Sequence, residues 1–192
     1  MSTLREPLPA LAVLSVLSAE WESLWPDIRD DLAPVFGECD FVSDLLDFSH
    51  TTYYDREMGT PLFRRILAFR DLAAQERLAD LKLATVRLEQ ARSRPDGSRR
   101  VNLDPGLLTQ ERLVLASGKN FPHRVYLGRG IYADLTLVYT RSGWRNQPWT
   151  FPDYATPQMH GLFTGLRERY RDKLAQLGLL HLRSEGEAPC GA

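Results

Sequence analysis

The residues best suited to chemistry fall between Arg99 and Tyr139, where polar side chains recur at the spacing of strand faces. In Arg100-Val101-Asn102-Leu103-Asp104 a period of two sends Val101 and Leu103 to one face and a cation, an amide and a carboxylate to the other. Ile131 to Tyr139 repeats the device, setting Ile131, Ala133, Leu135 and Leu137 opposite Tyr132, Asp134 and Thr136. Arg99, Arg100, Lys119, His123 and Arg124 supply donors for a phosphate or carboxylate, the planar arginine forks giving paired contacts. His123 is then the first candidate acid or base, because imidazole changes charge near neutral pH; Asp104 or Asp134 orients it or holds a metal. The same residues also fit a structural reading, with Arg100 and Arg124 paired across strands to Asp104 and Asp134.

Those strands need a core to stand on. Leu11 to Leu17 is almost wholly apolar, as expected of a central strand covered on both faces. Ser18 can cap a helix with its stripe at Trp21, Leu24, Trp25, Ile28 and Leu32, interrupted by Pro26 and stopped at Gly37. Residues 40–48 and 62–69 read as strands, and residues 73–92 as a long amphipathic helix. With the strand at Arg100, the order becomes strand, helix, strand, strand, helix, strand. That is the order of a ferredoxin-like βαββαβ core with a mostly antiparallel sheet.

Further along, Thr109 can cap a short helix ending at Gly118, and Gly128-Arg129-Gly130 can close a hairpin between residues 124–127 and 131–141. The proline- and aromatic-rich run from Gln147 to Tyr154 is expected to lie across the core. A final helix is capped by Thr156, begins at Pro157 and ends at Gly178. The expected fold class is therefore α+β, a ferredoxin-like core extended by a C-terminal β-hairpin and a long C-terminal helix. Residues 1–180 form one domain in this reading, and 181–192 a disordered tail.

Composition narrows the functions. The chain has 192 residues, 43% hydrophobic and 26% charged, with net charge -1, so no global field draws it to nucleic acid. Arg92, Arg94, Arg99 and Arg100 with Trp149 are suitable materials for RNA, but the balance of charge opposes it. Cys39 and Cys190 lie too far apart in sequence to suggest a disulfide framework or zinc site. The apolar run from Leu8 to Ala19 is too short to span a bilayer and is preceded by Glu6, Pro7 and Pro9, so neither a membrane anchor nor a signal peptide is expected. The cytoplasm is the default location.

Familiar enzymatic motifs are missing as well. A phosphate-binding loop at Gly118-Lys119 needs glycine where Leu113 stands and Ser or Thr where Asn120 stands. His50-Thr51-Thr52 resembles half of a two-histidine phosphoesterase signature, but His123 is followed by Arg124-Val125 and supplies no second half. No cofactor follows from the motifs.

At RRVNLDPG, LVLASGKNFPHRVYLGRGIYADLTLVY, PWTFPDY and YYDREMG the chain resembles a bacterial family of uncharacterised proteins, domain of unknown function 4416. The resemblance implies that Tyr54, Glu57, Arg100, Asn102, Asp104, Lys119, His123, Arg124 and Asp153 match the family's pattern. It brings no catalytic role with them. Some relatives carry a GTP-binding label, but this chain lacks both the phosphate-binding loop and an Asn-Lys-x-Asp guanine motif. The leading expectation is a cleft lined by the 99–136 strands that binds an anionic small molecule, such as a phosphorylated metabolite or nucleotide. In it Arg100, Asn102, Lys119 and Arg124, with Tyr54, Glu57 and Asp153, bind the ligand, and His123, Asp104 and Asp134 act on it. The alternative is a non-catalytic interaction protein anchored by the Tyr53-Tyr54 loop or the Trp/Pro segment.

Overall fold

A strand with no polar face to offer water belongs in the middle of a sheet. In the computed structural model, which describes residues 4–180, all nine residues of β1 (Ala10–Ser18) are buried. There follow α1 (Trp21–Phe36), β2 (Cys39–Val42), β3 (Leu46–Phe48), the single turn α2 (Asp55–Met58), β4 (Leu62–Ala73) and α3 (Leu78–Ala91). The chain continues through β5 (Asn102–Leu108), β6 (Arg112–Ser117), β7 (Arg124–Gly128), β8 (Ile131–Thr140), β9 (Gly143–Asn146) and α4 (Pro157–Gln176). The strands make an open sheet ordered β2-β4-β1-β5-β6-β8-β7, with β3 also on β4 and β9 on β8. Its pairings are antiparallel.

Helices cover both faces. Leu24, Ile28 and Leu32 of α1 and Leu78 and Leu81 of α3 pack with Leu14, Val16 and Leu67 on one side. Phe163, Leu166, Tyr170 and Leu174 of α4 pack with Leu11, Val13 and Ile66 on the other. Each such large apolar side chain contributes roughly 1.5–3 kcal/mol when fully buried. At the start of α4 the Thr156 hydroxyl accepts the Met159 N–H at 3.2 Å, and Pro157 occupies the first turn, where no N–H is needed. The 124–140 hairpin turns on Gly128, Arg129 and Gly130, all at positive φ.

Several local expectations change. The segment read as a helix from Thr109 to Gly118 is instead the tight turn into β6, with the Thr109 N–H bonded to the Arg112 carbonyl at 3.0 Å. Leu113 and Leu115 face the α4 side while Val114 and Ala116 face α3, so both faces are apolar. A short run of that kind has the same hydrophobic signature in a strand as in a buried helix. The strand expected over 40–48 is two short strands, parted where Ser43 turns its hydroxyl to the Ile66 N–H. Helix α1 runs through both Pro26 and Pro34, and Ser18 ends β1 rather than capping it. The tail expected over 181–192, including Cys190, lies outside the described residues. No helix among the described residues is long and apolar enough to cross a membrane.

Candidate functional site

Register decides which polar residues meet. Ser15 of β1 stands between Ile66 and Asp104, and Leu17 between Arg64 and Asn102. Farther across, Val13, Gly106, Leu115, Asp134 and Arg124 follow one another from strand to strand. Cross-strand neighbours share a face, so Arg64, Asn102, Asp104, Asp134 and Arg124 all lie on the α4 side of the sheet.

The sheet is split beside Asp104. β5 pairs with β6 only from Gly106 to Leu108, where a Cβ on Gly106 would meet Leu115 Cδ2 at 2.7 Å and the Val114 carbonyl oxygen at 2.9 Å. Closer to the start of β5, Pro105 has no N–H to give and the strand edge is free of a neighbouring strand. Helix α3 takes the place of that strand with side chains. Glu89 Oε1 accepts the Leu103 N–H at 2.6 Å, and Lys82 Nζ donates to the Leu103 carbonyl at 2.8 Å. Buried backbone groups need such partners, and here a carboxylate and an ammonium supply them.

From that edge a chain of charge runs across the face. Lys82 Nζ lies 2.9 Å from Asp104 Oδ1, and Asn102 Nδ2 donates to Asp104 Oδ2 at 2.7 Å. Arg99 donates to Asn102 Oδ1 at 2.8 Å and grips both oxygens of Glu57 at 2.7 Å. Burial pushes the Asp104 carboxyl up, but Lys82 and Asn102 outweigh it and hold the group below its ordinary range. Glu89 goes the other way, because burial raises it further than Lys82, 3.9 Å away, can lower it. Lys82 is held above its ordinary value despite its own burial, by Asp104 and Glu89. Burial, with Asp104 nearby, pushes the Tyr54 phenol up to about 12.

A second network stands on β7 and β8. Arg124 Nε donates to Asp134 Oδ2 at 2.8 Å, and its Nη1 to Ser117 Oγ at 2.8 Å and the Lys119 carbonyl at 3.0 Å. His123 turns Nε2 toward the same Asp134 oxygen, 3.5 Å away. Its ring stacks on Trp149 with centroids 5.0 Å apart and planes 9° apart, and Trp149 is anchored by its N–H to the Leu135 carbonyl at 2.9 Å. The Trp/Pro segment therefore lies across β8, and Thr150 adds a bond to the Thr136 carbonyl.

Lys119 joins the two networks. Its Nζ is 3.0 Å from the Tyr53 hydroxyl and 4.4 Å from that ring's centroid, and Tyr53 adjoins Tyr54 of the first network. The hydrogen bond from Lys119 holds the Tyr53 phenol below its usual range.

The expected residues thus divide. Tyr54, Glu57, Asn102 and Asp104 meet in the first network; His123, Arg124 and Asp134 meet in the second. Asp153 pairs with buried Arg64 beside a cleft of about 40 Å³ that Phe48, His50 and Met159 also line. Arg100 does not belong to the face at all. It precedes β5, where the period of two does not yet hold, and its guanidinium binds Glu20 Oε2 at 2.9 and 2.7 Å. The proposed Arg100–Asp104 pairing is therefore replaced by Arg100–Glu20, whereas Arg124–Asp134 forms. Asp104 and Asp134 lie in separate networks, and no group of three or more His, Cys, Asp or Glu among the described residues is set to hold a metal ion.

Lys82, Glu89 and Arg64 were not anticipated from the sequence. A signal existed for two of them: Leu78, Lys82, Thr85 and Glu89 recur at steps of four, three and four, which puts them on one helix face, and all four are buried. No curated protein and no solved structure matches the chain. The model of a family described as a domain of unknown function, DUF4416, matches residues 8–170, which hold both networks and the elements that position them, and the chain belongs to that family.

Proposed function

We propose that this protein binds an anionic small molecule, a phosphorylated metabolite or nucleotide, on the sheet face between the Asp104 and Asp134 networks. The observation that carries the reading is the state of Lys119. Among the described residues its ammonium pairs with no carboxylate; it rests on Tyr53, at the junction of the two networks. Arg99, Arg100 and Arg124 are each neutralised by an acid. Of these four, Lys119 is therefore the cation with attraction left for a ligand, and His123 stands four residues away with its ring held by stacking. For chemistry on that ligand, His123 is the acid or base, Asp134 orients it, and Asp104 is the ionised carboxylate.

The reading includes a ferredoxin-like core formed by β1, α1, β2, β4, α3 and β5. It is supported by the order β2-β4-β1-β5, by β1 lying antiparallel between β4 and β5, and by α1 and α3 packing on one face. In this fold the added strands β6 to β8 carry half of the site.

Thermal melts against nucleotides, sugar phosphates and pyrophosphate test the binding. A ligand present at roughly 100 times its Kd stabilises the fold by about 2.7 kcal/mol, a rise of several degrees. The rise is expected to vanish in Lys119→Ala and to survive in Arg100→Ala, whose side chain lies off the face. A panel that moves nothing, or a rise that persists in Lys119→Ala, overturns the proposal.

A further inference from the structure

The two edges of the sheet are finished differently. At β2, Asp40 is paired with Lys173 of α4 at 2.7 Å and the Arg169 guanidinium lies 5.2 Å from the Phe41 ring centroid, so charge and a helix guard that edge. At β7, Val125 is 67% exposed, Tyr126 59% and Leu127 42%, three consecutive apolar residues open on both faces. Natural sheets blunt an exposed edge with lysine, proline, a bulge or a covering element; Val125-Tyr126-Leu127 contains no charge and no proline, and the bulge of β7 comes only after Tyr126.

We propose that a second copy of this chain covers β7, the two strands pairing antiparallel about a two-fold axis so that the sheets join. Three observations favour a copy over another occupant. First, self-pairing requires a strand that does not repel itself, and the one charge on β7, Arg124, is turned inward and neutralised by Asp134. The whole chain, at net charge -1, adds little repulsion.

Second, the surface is large enough. Phe121 and Phe151 flank the Arg124 guanidinium at 4.7 and 5.9 Å and are about half exposed. With the three β7 residues they present roughly 500 Å² of apolar surface, at about 200 Å² for a fully exposed large side chain. A standard interface buries about 800 Å² on each partner, a little over half of it apolar. Third, the backbone is ready. The Arg124 N–H turns away to the Phe121 carbonyl at 2.9 Å, so by the alternation of an antiparallel ladder the outward N–H and C=O belong to Tyr126. A two-fold axis at Tyr126 lets the two copies exchange those bonds.

Sedimentation velocity of the full chain across roughly 1 to 100 μM, where interfaces of this size commonly dissociate, reads the mass directly. The expected result is a species of twice 21.9 kDa that returns to 21.9 kDa in Val125→Lys, with circular dichroism and melting of the dilute protein unchanged. Tyr126→Pro, which removes the outward N–H and leaves the bonds to β8, is expected to do the same. A wild-type monomer throughout the range overturns the proposal. So does a dimer that survives Val125→Lys.

Discussion

Asp104 and Asp134 stand on the same face of one sheet, and each is matched to a cation, yet the two regions are built on different principles. Asp134 is paired inside a closed ladder: Arg124 is its direct cross-strand neighbour, and the two side chains are 3% and 4% exposed. Asp104 sits where β5 has lost its neighbour, 32% exposed, and its cation comes from a helix that also repairs the strand edge. A closed pair fixes geometry: with Arg124 on Asp134 and His123 at 3.5 Å, that buried carboxylate has no surface left for a ligand. In the open one Lys82 and Asn102 are buried but the carboxylate they hold keeps part of its surface, which is why the Asp104 side of the face is the one we read as presenting a carboxylate to ligand.

The two pairs therefore differ in what their loss costs. Arg124→Met leaves Asp134 buried without its cation, and breaking such a pair costs about 3–5 kcal/mol. Urea unfolding should show the midpoint falling accordingly. Asp104→Ala should cost less, about 1–3 kcal/mol, because Lys82 keeps the Leu103 carbonyl and Glu89 for company and water reaches the vacated place. Equal losses at the two positions would remove the distinction between a closed and an open region.

The closed region was also the more legible in the sequence. Its hairpin is local: a Gly-Arg-Gly turn sets Gly128 opposite Ile131, and a bulge just after Tyr126 shifts the pairing by one residue to bring Arg124 opposite Asp134. The same holds for α4, where Thr156, Pro157 and the apolar stripe lie within one segment. The open region depends on where β5 and β6 part, which follows from the close approach at Gly106 and from the chain beyond it, and no local pattern records that. Hence the solvated-face pairing read for Arg100 and Asp104 failed, while the polar stripe Lys82, Thr85 and Glu89 passed for ordinary helix surface. β6 was misread for a related reason, since burial on both faces erases the alternation that marks a strand.

The smallest expected effect is also the sharpest test of the open region, because its two carboxylates have opposite slopes with pH. Glu89 has a folded pKa raised above the usual 4.5, so its contribution is full below that value and declines as pH rises through the folded pKa. Asp104 is depressed below the usual 3.8, so its contribution is present above that value and is lost as pH falls through the folded pKa. Glu89→Gln keeps an acceptor for the Leu103 N–H but removes the charge, and its stability at neutral pH should lie within about 1 kcal/mol of wild type. Urea midpoints measured from about pH 4 to 8 should then show wild type declining relative to Glu89→Gln on the rising-pH side. Superimposed profiles would mean that Lys82 offsets the burial of Glu89 completely, and the opposite slopes of the two carboxylates would be gone.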